Sequence, residues 1–100
     1  MNIDDLLRTV VSKGASDLHL KVGAHPMMRV SGALVPVTDE KRLINEDTLA
    51  MGSAMMSPEQ REKFTKSQEV DLAYSVPGLG RFRCNIFQQR GTMGMVLRVI

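Results

Sequence analysis

The fold is decided by the stretch Arg81-Phe82-Arg83-Cys84-Asn85-Ile86-Phe87-Gln88-Gln89-Arg90-Gly91, which alternates polar and apolar side chains. A period of two predicts a β-strand with one basic and one apolar face. A strand that commits one face to two arginines and an amide requires an anion, a partner or plain solvent opposite that face. The basic face carries Arg81, Arg83 and Asn85, and the apolar face carries Phe82, Cys84 and Ile86.

Three other segments carry helix signals. Asn2 can cap a first helix, in which five apolar residues follow the i, i+3, i+4 spacing of one buried stripe. Asn45 can cap a second helix, and Ser57 with Pro58 and Gln60 forms the capping box of a third. The stripe of the first helix consists of Ile3, Leu6, Leu7, Val10 and Val11.

Six segments alternate with period two and predict strands. Pro36 lacks an N–H group, so the third strand should lie at a sheet edge. Strands grouped in threes and separated by helices predict an α+β domain, with a mostly antiparallel sheet and helices packed on one side. One hundred residues make one domain, 1–100. The strands are expected at 16–22, 28–31, 34–37, 70–74, 81–88 and 93–100.

The composition is that of a globular chain with little net charge. It is 43% hydrophobic and 24% charged, with a formal net charge of +2. The single cysteine excludes an internal disulfide, and its place on the apolar face predicts a buried thiol. Since there is no run of 18 apolar residues and no signal peptide, we expect a cytoplasmic protein. The final strand ends without a cap or a polar tail, so we expect the chain to belong to a longer protein.

The last hairpin allows a geometric prediction. If residues 90–91 form a two-residue turn, Arg83 lies directly opposite Arg98. Like charges in that position are unfavourable on a bare sheet, but a bound anion or a facing carboxylate reverses the sign. A three-residue loop would instead place Leu97 opposite Arg83. The sequence therefore leaves open an anion site or arginines that are solvated or paired with acids.

Asp17 and His19 share the polar face of the first strand, where we expect a structural or interface role. The other histidine, His25, lies in a turn, and no CxxC or HxxxH spacing occurs, so we expect no metal site. Nucleophilic catalysis is not predicted, because the chain has no GxSxG motif. None of the glycines begins a phosphate-binding P-loop.

Three segments in fixed order carry a resemblance to a known family. They are GASDLHL at 14–20, followed by Pro26, Arg29 and Gly32; EVDLAY at 69–74; and GRFRCNIFQQRG at 80–91, followed by VLRVI at 96–100. Together they resemble the N-terminal domain of PilT-type ATPases, the type IV pilus retraction motors of the secretion-ATPase superfamily. The resemblance covers nearly all of the chain.

This resemblance implies a PAS-like fold and a regulatory and oligomerisation role in a motor for pilus retraction and twitching motility. It implies a homo-hexamer, in which the domain contacts the RecA-like domain of its own subunit and of the neighbouring one. The implied location is cytoplasmic, peripheral to the inner membrane, with a pilus inner-membrane platform protein as a further partner. ATP and Mg²⁺ would be bound mainly by the RecA-like domain. No motif of that domain occurs here, so we expect neither a cofactor nor ATPase activity for this chain alone.

The resemblance also implies that arginines of this domain reach the phosphates of ATP in the intact protein. Arg81 and Arg83 are the first candidates, Arg98 follows, and Arg90 is the weakest. The main alternative is a stand-alone PAS-like module that binds a protein or a small ligand and has no nucleotide role. RNA binding would require aromatics interleaved with the arginines. We therefore expect no nucleic-acid partner.

Overall fold

Three helices and six strands make up the computed structural model, which describes residues 1–39 and 41–100. Their order agrees with the predicted order of one helix, three strands, two helices and three strands. The helices are α1 (Ile3–Ser12), α2 (Asn45–Met55) and α3 (Pro58–Ser67). The strands are β1 (Asp17–Leu20), β2 (Met27–Val30), β3 (Ala33–Pro36), β4 (Glu69–Val76), β5 (Gly80–Gln89) and β6 (Thr92–Val99).

All six strands of the described residues form one sheet in the order β3-β2-β1-β6-β5-β4, and each neighbouring pair is antiparallel. β1 and β6 come from opposite ends of the chain and pair at the centre of the sheet. β3 and β4 form the two edges, which confirms the edge position predicted from Pro36. The centre of the sheet therefore depends on a pairing between residues nearly 80 positions apart, such as Leu18 with Leu97.

The sheet has one covered face and one open face. α1 packs against β1, α2 against β6 and α3 against β4. Side chains buried beneath these helices include Leu18, Ile86 and Met95, each at most 1% exposed. This arrangement confirms the predicted α+β class and the PAS-like architecture with helices on one side. The open face carries the intervening residues, among them Asp17, His19, Arg29, Asp71, Arg81, Arg83, Asn85, Val96 and Arg98.

The helix starts follow the sequence closely, with two corrections. Asn2 caps α1 as predicted, and its side-chain oxygen accepts from the Asp4 amide at 2.8 Å. Val11 is 37% exposed, so its place in the buried stripe was wrong. It lies about 100° around the helix from the buried Val10, beyond the covered arc.

The second correction concerns α2, whose N-cap is Ile44 and not Asn45. The Asp47 carboxylate, in the first turn, accepts a hydrogen bond from the Ile44 amide at 2.9 Å. This acid therefore satisfies the backbone amide of the N-cap residue. That hydrogen bond, together with Lys41 at 2.8 Å, lowers the pKa of Asp47. The cap signal was thus present in the sequence, but at Asp47, two residues after the asparagine.

A half-buried capping box starts α3, as the sequence predicted. Ser57 Oγ accepts from the Gln60 amide at 3.2 Å, and Gln60 Oε1 accepts from the Ser57 amide at 2.8 Å. Pro58 occupies the first helical position. No residue of α3 is fully buried, so this helix depends on its cap more than the other two do.

Tyr74 links the start of α1 to the edge strand β4 by a hydrogen bond. Its hydroxyl donates to Asp4 Oδ1 at 2.6 Å, a contact between residues 70 positions apart. Burial, the hydrogen bond and the charge of Asp4 raise the pKa of Tyr74 to about 12. A raised tyrosine pKa means that the neutral phenol stabilises the fold below pH 10, and that this contribution is lost as the pH rises towards 12.

The tyrosine contact makes a first prediction. Because the chain has one tyrosine and no tryptophan, phenolate absorbance reports Tyr74 alone. We expect a midpoint near 12 in the folded protein and near 10 in denaturant. Asp4→Asn should lower the folded midpoint, whereas Asp5→Asn, in the same helical turn but bonded to Arg8, should not. A folded midpoint near 10 would contradict the contact.

The capping box makes a second prediction. Ser57→Ala removes one acceptor at the start of α3 and should lower the free energy of unfolding by about 1 kcal/mol. Urea denaturation followed by circular dichroism measures this change. Ser67→Ala, at the exposed end of the same helix, is the matched control and should change stability by much less. Equal effects of the two substitutions would show that the cap contributes nothing specific.

Candidate functional site

The hairpin between β5 and β6 sets the geometry of the open face. Arg90 and Gly91 form its two-residue turn, and both have positive φ angles, 53° and 80°. Turns of this kind match the twist of the flanking strands, and glycine adopts the second position without strain. The turn places Arg83 directly opposite Arg98, as predicted, and excludes the register that would pair Arg83 with Leu97.

Two adjacent rows of paired residues cross the open face from β4 to β1. In each row, the two outer residues belong to β4 and β1, and the two inner residues belong to β5 and β6. Directly opposed side chains on a sheet have Cβ atoms about 5 Å apart, so each row is a line of contacts. The rows are Ala73-Arg83-Arg98-Asp17 and Asp71-Asn85-Val96-His19.

A cleft of about 550 Å³ lies over these rows. Its floor is the sheet itself, and its charged lining is mostly basic. The cleft brings together two of the four predicted arginines with the predicted histidine of β1. The lining residues are His19, Asp71, Arg83, Cys84, Asn85, Val96 and Arg98.

The two arginines of the cleft have no acidic partner among the described residues. Within residues 1–39 and 41–100, no carboxylate oxygen lies within 4.0 Å of either guanidinium. Both side chains are exposed, and they oppose each other across the β5-β6 pair. Of the alternatives that the sequence left open, a salt bridge to any acid of the described residues is therefore excluded for this pair, and an anion site or solvent remains.

Asp17 lies opposite Arg98 in the register, but other groups hold its carboxylate. Ser16 and His19 are bonded to it, and Arg29 Nε lies 3.6 Å from Oδ2. Burial raises the pKa of Asp17, but these hydrogen bonds and positive charges outweigh it, so the pKa is lowered overall. The structure thus brings Asp17 and His19 into contact, as their shared face predicted.

Asn85 organises the acids on the opposite side of the arginine pair. Its Nδ2 donates to Asp71 Oδ1 at 2.9 Å and to Glu69 Oε1 at 3.0 Å. We did not predict a role for these two carboxylates from the sequence. The alternation of β4 places both on the open face, but only the β4-β5 register shows which side chain of β5 they meet.

The remaining predicted arginines occupy different places. Arg81 lies on the open face opposite Ser75, two residues before Arg83 and just outside the cleft. Arg90 sits in the turn, roughly 20 Å along β5 from Arg83 at about 3.3 Å per residue. It lines a separate cleft with Lys21. The structure therefore groups Arg83 and Arg98, with Arg81 beside them, and separates Arg90 from the group.

Cys84 borders the cleft, but the strand alternation places its thiol on the covered face of the sheet. It is 1% exposed, and burial together with the charge of Asp71 raises its pKa to about 12. The predicted buried thiol is thus confirmed. In the described part of the chain, no three His, Cys, Asp or Glu side chains form a group that could hold a metal ion. Among the same residues, no helix is long and apolar enough to cross a membrane.

Comparison with known proteins finds relatives that align with the whole of this chain. All 100 residues align with the type IV pilus ATPase PilU of Pseudomonas aeruginosa at 42% identity, and with the pilus retraction ATPase PilT of the same organism at 38%. The chain spans only 26% and 29% of these two relatives. No protein-family model matches the sequence.

Solved structures extend the likeness to the fold. A crystal structure of the pilus retraction motor PilT with bound ADP matches all of this chain and 29% of its own, with 37% identity and a TM-score of 0.92. The ATPase DotB of Legionella pneumophila matches 98% of this chain and 28% of its own, with 24% identity and a TM-score of 0.82, which shows a shared fold. The likeness in sequence and in fold identifies this chain as an N-terminal domain of a PilT-type ATPase.

Proposed function

We propose that this domain is the regulatory and oligomerisation domain of a type IV pilus retraction ATPase, and that Arg83 and Arg98 contact the phosphates of ATP. The observation that carries the proposal is the opposition of these two arginines in a cleft of the open face, where no carboxylate of residues 1–39 and 41–100 lies within 4.0 Å of them. ATP, with its Mg²⁺, would be held mainly by the RecA-like domain of the intact protein.

The charge arrangement supports a polyanionic ligand. Two guanidinium groups directly opposed on a sheet repel each other, and this repulsion becomes attraction when both bind one anion. Guanidinium forks donate in pairs to phosphate oxygens more effectively than ammonium groups do. Arg81, on the same face and two residues away, would extend the contact along the phosphate chain.

The place of the site on the sheet supports a contact between domains. The open face of the described residues has no helix over it, whereas the opposite face is covered by all three. We propose that the RecA-like domain of the same subunit or of the neighbouring one docks on the open face and brings its nucleotide to the arginine pair. The relative PilT, whose structure contains ADP, supports nucleotide binding in the intact protein.

This arrangement would couple the nucleotide to domain motion. A guanidinium pair that binds the γ-phosphate favours one arrangement of the two domains, and loses that preference after hydrolysis. Its charge would also stabilise the transferring phosphoryl group. In a homo-hexamer such steps would drive pilus retraction and twitching motility through the inner-membrane platform protein. The motor would act in the cytoplasm, at the periphery of the inner membrane.

The arginine pair makes a third prediction, tested in the full-length protein that contains this domain. Arg83→Ala and Arg98→Ala should each lower the kcat of ATP hydrolysis at least about tenfold, and at most by the roughly 10²- to 10³-fold that loss of one charge-stabilising donor costs. Arg90→Ala is the matched control, since it removes an arginine from the same hairpin outside the cleft. Its kcat should stay within about twofold of the parent value.

A steady-state ATPase assay with size-exclusion chromatography separates the outcomes. Loss of activity with the oligomer retained supports phosphate contact. Activity that survives both substitutions would exclude a phosphate role for the pair and would favour a module that binds a protein or a small ligand. Equal losses for Arg83→Ala and Arg90→Ala would point to a general effect of positive charge on the hairpin, and would contradict the proposed site.

A further inference from the structure

We infer that Asn85 is a positioning residue, which holds the Asp71 carboxylate away from Arg83 and so leaves the arginine pair free for an anion. This inference rests on the proposed function, because the anion in question is the phosphate chain of ATP. Asn85 acts through its two carboxylate partners and need not touch the nucleotide. Its role follows from the register of β4 with β5 and from the hydrogen bonds of one amide.

The register places Asp71 within reach of Arg83. Asp71 lies opposite Asn85, and Ala73 lies opposite Arg83, so Asp71 and Arg83 are diagonal neighbours on the open face. Diagonal neighbours are about 7–8 Å apart at the backbone, which a long arginine side chain can span. Both residues line the same cleft. An ion pair between them is therefore possible, yet no carboxylate oxygen lies within 4.0 Å of the Arg83 guanidinium in the described residues.

The amide of Asn85 accounts for this separation. Its nitrogen has two N–H groups, and it donates to Asp71 Oδ1 at 2.9 Å and to Glu69 Oε1 at 3.0 Å. Both donors are thus committed to the acids of β4. The amide is neutral, so it satisfies the two carboxylates without adding positive charge to the cleft. An aspartate at this position would repel both acids, and an alanine would release them.

A parallel arrangement exists on the other side of the pair. Asp17 is the carboxylate opposite Arg98, and it is bound by Ser16, His19 and Arg29. The two acids nearest the pair in the register are therefore both held by other side chains. Because the two arrangements lie on different strands and use different donors, they are independent observations of the same outcome.

The direct test is a structure of this chain with Asn85→Ala. We expect the Asp71 carboxylate to move within about 4 Å of the Arg83 guanidinium, the distance of an ion pair. Gln89→Ala is the control, since it removes an amide from the same face at the turn and should leave Asp71 in place. If Asp71 stays away from Arg83, the inference is overturned. Asn85→Val, which keeps a good strand former and has no hydrogen-bond donor, gives the same test should the alanine variant fail to fold.

A functional test uses the full-length protein. Asn85→Ala should lower kcat/KM for ATP roughly two- to fivefold. This is the factor by which an exposed ion pair shifts an equilibrium. Adding Asp71→Asn should restore the parent value, because the side chain at position 71 is then neutral and cannot pair with Arg83. A loss that Asp71→Asn does not restore would overturn the inference. Failure of the proposed function is seen separately, as full activity of Arg83→Ala, and leaves the structural test of Asn85 valid.

Discussion

The opposition of Arg83 and Arg98 across the β5-β6 hairpin is the constraint on which the rest of the site depends. A two-residue turn with positive φ at both positions fixes the register. One residue more in that turn would rotate every side chain of one strand to the other face, because the period of a strand is two. The same register that places two arginines together therefore also buries Cys84 opposite Leu97 beneath the helices.

The repulsion within the pair is tolerated because the sheet is stabilised elsewhere. The covered face buries aliphatic, methionine and phenylalanine side chains from β1, β4, β5 and β6 against α1 and α2. Close packing also reaches the open face at Gly94, where a Cβ atom would meet the ring of Phe87 at 2.7 Å. An exposed like-charge pair costs little compared with a core of this kind. The charges of the open face can thus be arranged for a ligand and need not neutralise one another.

Much of the fold could be predicted from the sequence, because its signals are local. The cap of α1, the capping box of α3, the edge position of Pro36 and the alternation of β5 each depend on residues within one element. The pairing of Arg83 with Arg98 was predictable because one short turn connects their strands. The exposure of Val11 and the capping of α2 by Asp47 were missed, since the first depends on how far α1 is covered and the second on a side chain that reaches back.

The carboxylates around the arginines could not be placed from the sequence. Asp71 meets Asn85 through the β4-β5 register, and Asp17 meets Arg29 through the packing of β1 with β2. These contacts join residues 14 and 12 positions apart, and neither the loops nor the twist between them is set by a local signal. The sequence could therefore indicate a basic face, but not whether acids neutralise it.

The most direct test is a structure of the full-length protein with a non-hydrolysable ATP analogue and Mg²⁺. If Arg83 and Arg98 contact the nucleotide, their guanidinium nitrogens will lie about 2.7–2.9 Å from phosphate oxygens, in the range of charge-assisted hydrogen bonds. The Asp71 carboxylate should remain on Asn85 in that complex. A nucleotide bound with both guanidinium groups in solvent, or with the open face turned away from every RecA-like domain, would contradict the phosphate role of the pair.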